Sequence, residues 1–256
     1  MEWLLWAVLA VLGLVLLPFV LGPFIVRFNL RQKAQPVFEA LDTESGKLLP
    51  EVYQHFLETV EALKEDGFWI CGYFCQAGQA PHVTAYVALF VNDAQRDLAM
   101  AAAMYGEVEG QPSLRTAYVE FCSEFADGLE LNTANTGELG PHAPVPRRKG
   151  NSFPEIGDLR KLYQVHRALC ARWGQAEKKP VPSEAELPAR VAQDMVKSLE
   201  QQVGTGYYWL DTAGECYRPT WKGAFLMTWK LCWPVTSIRK ALRASRNAAL
   251  LRELGV

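Results

Sequence analysis

In the stretch "EIGDLRKLYQVHRALCARWG", His166 and Cys170 stand four residues apart, so a helix would bring imidazole and thiol onto one side. That pairing can ligate a metal, or set a thiol nucleophile beside its base. Ile156, Leu159, Tyr163 and Leu169 follow the same side, and a packed core face accounts for the pair more simply. His55 and Glu58 share a second helical face without a further ligand of known position. Cys71 and Cys75 in "CGYFC" lack the spacing of a redox C-x-x-C motif or a zinc knuckle and are read as structural. Asp127, Glu130, Asn132 and Asn135 crowd the segment "FADGLELNTANTG" with oxygen ligands. They lack the order of a calcium loop, and turn chemistry explains them.

The remaining candidate is a basic loop. "GPHAPVPRRKGNSFPE" carries Arg147, Arg148 and Lys149, which together could grip an anionic substrate. His82 and His142 adjoin prolines in connections and read as solvated. No phosphate-binding loop, nucleophile elbow or H-E-x-x-H occurs, and the glycines of "VGTG" are a helix stop. No catalytic residue, metal or cofactor is therefore assigned, and binding is favoured over catalysis. An enzyme acting on an anion held by residues 147–149 is the alternative.

The elements that must position these groups indicate an α+β class. "PEVYQHFLETVEALKEDG" is an amphipathic helix on Val52, Phe56, Val60 and Leu63. "FWICGYF", "HVTAYVALFV" and "LRTAYVEFCSEF" are strands, and Asp127-Gly128 leads the last into "LELNT" as a hairpin. "LAMAAAMY" suits a helix by propensity. Its place between strands and the turn-like "NDAQRD" before it favour the middle strand of an antiparallel sheet for residues 98–105, with helix the alternative across 94–105. The helix holding His166 follows, then a linker over 177–188. Val191, Met195, Leu199 and Val203 mark another helix, "YYWLDTAGECYR" a short hairpin, and two helices separated at Pro234 end the chain. The expected divisions are an anchor over 1–28, a juxtamembrane linker over 29–49, an α+β body over 50–176 and a helix-hairpin-helix-helix module over 189–256. Helices flanking an antiparallel sheet would form the body.

The anchor expectation rests on "WLLWAVLAVLGLVLLPFVLGPFIV", Trp3 to Val26, which has no ionisable side chain. As a helix it would extend about 36 Å, enough for a hydrocarbon core of about 30 Å. Arg27, Arg31 and Lys33 follow it and no cation precedes it, which by the positive-inside rule puts the remainder on the cytoplasmic side. Six scattered cysteines fit a reducing compartment. These features predict a single-pass membrane protein with its bilayer contact through residues 3–26.

Charge is unevenly divided although the net value is only −2. Residues 34–146 hold 17 acidic against 4 basic side chains, whereas residues 218–256 hold 8 basic against 1 acidic. The basic end includes "TWKGAFLMTWKLCWPV", with Trp221, Lys222, Trp229, Lys230 and Trp233. Its helix is either core or interfacial. Arg239, Arg243 and Arg246 then share an arc of the next helix. Together these residues form a candidate docking surface for anionic lipid or an acidic protein. No nucleic-acid motif accompanies the arginines, and no nucleic-acid partner is expected.

Overall fold

The computed structural model describes residues 2–42, 48–80, 83–108 and 111–256, with side chains at all of these except 8, 11, 12, 77–80, 108 and 111. His82 lies outside the described residues. A seven-stranded sheet organises the chain. Its strands are β2 (Glu39–Ala40), β3 (Trp69–Ala80), β4 (Val83–Asn92), β5 (Asp97–Val108), β6 (Gln111–Glu124), β7 (Glu130–Ala134) and β8 (Arg148–Ser152), adjacent in that order. All neighbours are antiparallel except β7 and β8, which run parallel.

Strand β5 shows why the alanine-rich stretch does not become a helix. Asp97, Ala99, Ala101, Ala103 and Tyr105 point to one buried face, while Leu98, Met100 and Met104 point to the other. That period of two serves a sheet covered on both sides. The small alanines allow α2 (Pro50–Lys64) and α3 (Leu159–Trp173) to approach closely on their face. Proline opens α2, where its missing N–H costs nothing. Asp158 caps α3 by accepting from the backbone N–H groups of Arg160 and Lys161. Val52, Phe56 and Leu63 of α2 and Leu162, Tyr163 and Leu169 of α3 bury against Phe90, Val119, Phe121 and Leu131 of the sheet. Each such side chain contributes roughly 1.5–3 kcal/mol of transfer free energy.

The opposite sheet face is covered at one end by Leu187 and Val191 of α4 (Leu187–Gly204), which pack with Val87, Leu89 and Phe74. The segment before α4 is tied to the sheet. Phe125 bridges Lys178, and the amide N–H of Lys179 donates to the carbonyl of Glu124.

A smaller unit forms beside this body. Strands β1 (Gln32–Lys33), β10 (Cys216–Pro219) and β9 (Tyr208–Asp211) make an antiparallel three-stranded sheet. Tyr207, Tyr208, Tyr217 and Met227 pack with Leu199 of α4. Thr220 caps α5 (Trp221–Leu231) by accepting from the Gly223 N–H at 2.9 Å. At Gly223 the helix passes so close to the Tyr207 backbone that a Cβ would fall onto its carbonyl. Backbone cannot yield as a side chain can, so Gly223→Ala is expected to cost about 1–3 kcal/mol. A urea midpoint unchanged from wild type would contradict this close approach.

Helix α1 (Glu2–Asn29) carries Pro18 and Pro23 within it and is not an isolated rod. Its second half lies on α5. Phe24 and Phe28 meet the edge of Trp221 at centroid separations of 5.2 and 5.8 Å, Phe19 meets Trp229 at 6.3 Å, and Gly22 sits against Thr228. Pro23 is buried.

The expectation of a transmembrane anchor is therefore corrected. Among the described residues, no helix is long and apolar enough to cross a membrane. The longest stretch of α1 with described side chains is residues 13–29. It is interrupted by prolines, ends on Arg27 and Asn29, and turns aromatic side chains to a protein neighbour. A single-pass membrane location and a cytoplasmic-side placement are withdrawn with the anchor, as is the orientation argument from Arg27, Arg31 and Lys33. What stands is an α+β chain.

The final helix α6 (Val235–Leu254) ends on Gly255 in the left-handed conformation, with φ 70°. Leu250, Leu251 and Leu254 pack on the α2/α3 side of the body.

Candidate functional site

Two polar assemblies lie on opposite faces of the large sheet, because alternate residues of β6 point opposite ways. Val119, Phe121, Ser123 and Phe125 face the helices, and Glu120, Cys122 and Glu124 face α4.

The helix-side assembly contains the His166–Cys170 pair. Asp97 and His166 are both 0% exposed. Ser123 Oγ lies 2.5 Å from Asp97 Oδ1 and 2.9 Å from His166 Nε2, and His166 Nδ1 lies 2.9 Å from Thr133 Oγ1. Tyr163 donates to Asp97 Oδ2 at 2.9 Å, and the Lys178 ammonium pairs with Asp97 Oδ1. The carboxylate can only accept, so Ser123 gives it its proton and accepts from Nε2–H. Nδ1 then accepts from Thr133. Burial lowers the His166 pKa to about 4, with Asp97 opposing the shift and Lys178 adding to it.

This cluster resembles a nucleophile–base–acid set in composition only. In such a set the serine proton goes to the histidine, whereas here it goes to aspartate. Cys170 Sγ is 3.6 Å from His166 Nε2 and 3.3 Å from Ser123 Oγ, and burial raises its thiol pKa, so no thiolate is prepared. Asp97, His166 and Cys170 bring possible ligand atoms within 4.8 Å of one another, which is a metal-like grouping. The Lys178 ammonium already supplies the positive charge on Asp97, so a cation would have to displace it. The assembly is a closed polar core joining β5, β6, β7 and α3.

The other assembly opens onto a cavity of about 490 Å³ between the sheet and α4. One part of its wall is apolar, built from Leu89, Leu98, Met100, Met104, Val191 and Met195. The remainder is polar. Glu120, Glu124, Glu130, Asn132, Arg148 and Asp194 line it, with Gln32, Gln202 and His142 beyond. Helix α4 supplies Leu187, Val191, Met195, Ser198 and Gln202 at intervals of three and four, with Asp194 beside Met195, one continuous face.

Glu124 and Glu130 stand directly opposite each other on β6 and β7, an unfavourable like-charge pair unless neutralised. Arg190 and Lys179 pair with Glu124, while Arg148 and Lys197, each at 2.6 Å, pair with Glu130. Asp194 is held by Arg190 at 3.2 Å, although burial raises its pKa. Glu120 differs. Among the described residues it makes no ion pair. Burial raises its pKa, only partly opposed by a 2.5 Å hydrogen bond from Asn132 Nδ2 and by the Arg148 charge. Asn132 Oδ1 is buried and accepts no hydrogen bond from the described residues.

The residues singled out from sequence fall in several places. Arg148 alone of the basic loop lines the cavity. Arg147 turns to the Asp127 carbonyl, and Lys149 lies 4.4 Å above the Trp173 ring. The three do not converge. Asp127 serves its own turn by accepting from the Leu129 N–H, whereas Glu130 and Asn132 of the same segment reach the cavity. His55 is removed from both assemblies, with its pKa lowered chiefly by burial.

At the basic end, most cations hold carbonyls of this same chain. Lys222 donates to Thr205 O, Lys230 to His142 O and the Tyr207 hydroxyl, Arg239 to Lys230 O and Gly140 O, and Arg243 to Gly137 O and Glu138 O. With Gln202 bonding both backbone groups of Ala143, they pin residues 137–143, the loop whose His142 reaches the cavity. Arg246 is exposed. Trp221 and Trp229 rest against α1, and Trp233 is 63% exposed.

Sequence reasoning missed the cavity residues Glu120, Met100, Met104 and Asp194. A signal was available: in "AYVEFCSEF" the polar and apolar residues alternate, placing Glu120, Cys122 and Glu124 together on the face away from the aromatic core. No protein-family model, no curated protein and no solved structure matches this chain.

Proposed function

We propose that this chain is a binding protein for an amphipathic small molecule, held between the large sheet and α4. The cavity of about 490 Å³ carries the reading, since it falls within the roughly 300–1,000 Å³ range of small-molecule sites. Its division into a methionine- and leucine-rich wall and a polar wall suits a ligand with an apolar body and a polar head. Methionine adds adaptability, because its unbranched thioether side chain fills irregular contacts. Burial also raises the Cys122 thiol well above its ordinary pKa, so the sulfur at this wall is unreactive packing surface. Binding is favoured over an enzyme that grips an anion through Arg147, Arg148 and Lys149, because those cations point apart.

The test is a titration of the full chain with the neutral fluorophore N-phenyl-1-naphthylamine. Saturable enhancement is expected, and Met195→Trp, which fills the cavity from α4, should weaken it by about tenfold or more, equivalent to about 1.4 kcal/mol. Equal binding by the folded Met195→Trp variant would move the dye elsewhere and overturn the reading.

A further inference from the structure

Glu120 and Asn132 leave an unmet demand at the polar wall. Glu120 Oε1 takes the Asn132 amide proton at 2.5 Å and feels the Arg148 charge, yet the carboxyl makes no ion pair among the described residues. Beside it, Asn132 Oδ1 is buried without a donor among them. Both shortfalls are of donors, and a buried acceptor left unpaired carries the full cost of its desolvation. The neighbouring Arg148 guanidinium is committed to Glu130 at 2.6 Å, and Glu124 and Asp194 are held by Arg190. An anionic head group here would meet carboxylates on the same wall. A cationic head with several N–H donors would meet acceptors.

We infer that the ligand class is a lipophilic primary ammonium, its head shared between Glu120 and Asn132 Oδ1 and its alkyl body along Leu98, Met100, Met104 and Met195. This inference rests on the cavity being a ligand site, and it adds the head-group chemistry. A primary ammonium carries three donors and a full charge, enough to serve both acceptors at once.

The experiment is isothermal titration of the full chain with n-decylammonium, n-decanol and decanoate at neutral pH, repeated on Glu120→Gln and Met195→Trp. The ammonium should bind about tenfold or more tighter than the alcohol, as a charge-assisted hydrogen bond allows, with decanoate weakest. Glu120→Gln should erase that preference while leaving decanol within about twofold of wild type. Met195→Trp should weaken all binding, which separates the cavity from the exposed apolar side chains of α1. Decanol or decanoate binding as tightly as the ammonium would overturn the head-group inference alone, as would a preference that survives Glu120→Gln. If neither the three decyl probes nor the fluorophore binds wild type, the cavity reading falls together with the inference.

Discussion

Replacing Asp97 by alanine is expected to destabilise the chain by about 3 kcal/mol, at the lower end of the range for breaking a buried ion pair. One carboxylate accepts from Ser123, Tyr163 and Lys178, so a single truncation strands three donors. Tyr163 is buried and cannot turn to water, so its hydroxyl loses its acceptor outright, whereas Ser123 recovers one only by a change of tautomer at His166. The Lys178 side chain is 18% exposed, so its ammonium can partly recover hydration, which is why the lower end applies. Asp97→Asn should cost less, because its remaining carbonyl oxygen still accepts. Urea denaturation followed by circular dichroism decides the matter. A loss below about 1 kcal/mol for Asp97→Ala would mean that the network is not a unit, since even one stranded buried donor costs about that much.

The network also explains why the sequence was easier to read for elements than for sites. The helix periodicities on Val52, Phe56 and Leu63, and on Val191, Met195 and Leu199, translate directly into buried faces. For "LAMAAAMY" the strand signal lies in its neighbours, since alanine's helix propensity pulls the other way. That signal holds because the alternation of alanine with methionine has the period of a strand. Asp97, by contrast, stands in the turn-like run "NDAQRD", and nothing local says that a lysine 81 residues later will meet it. His166 was visible as a core histidine, but its partners Ser123 and Thr133 come from strands whose register only the folded sheet fixes.

The opening segment shows the opposite error. Apolar composition does not name the solvent around a helix; it states only that the side chains seek apolar neighbours. Phe19, Phe24 and Phe28 have such neighbours in Trp221 and Trp229. The opening helix, read as a membrane feature, and the tryptophan-rich helix, left as core or interfacial, are thus parts of one contact. Charge counts see Lys230, Arg239 and Arg243 as free cations, but loop carbonyls in 137–142 lack sheet partners and use them as donors.

Acidification should weaken the fold well before its carboxylates titrate, with His166 responsible for most of the slope. Its folded pKa of about 4 lies below the ordinary 6.5 because burial disfavours the imidazolium. Between those values the unfolded chain binds a proton that the folded chain refuses, so stability rises with pH through this window. The contribution is therefore complete above pH 6.5 and is lost progressively toward pH 4. One pKa unit corresponds to about 1.4 kcal/mol, so the full loss from this site is about 3 kcal/mol. His55 and His142, also lowered chiefly by burial, add in the same direction. Glu120 acts oppositely, because burial raises its folded pKa and protonation favours the folded chain at the acid end. The net result is a decline through the window between 6.5 and about 4, made shallower by Glu120, whose protonation acts in the opposite sense. Urea midpoints measured from pH 7.5 to 4.5 for wild type and His166→Gln give the comparison. The variant will be less stable at neutral pH, having lost a fitted partner for Ser123 and Thr133. Its dependence on pH should nonetheless be much shallower. Parallel curves for the two proteins would show that the imidazole is not held neutral, in which case Nδ1 would donate to Thr133 rather than accept from it.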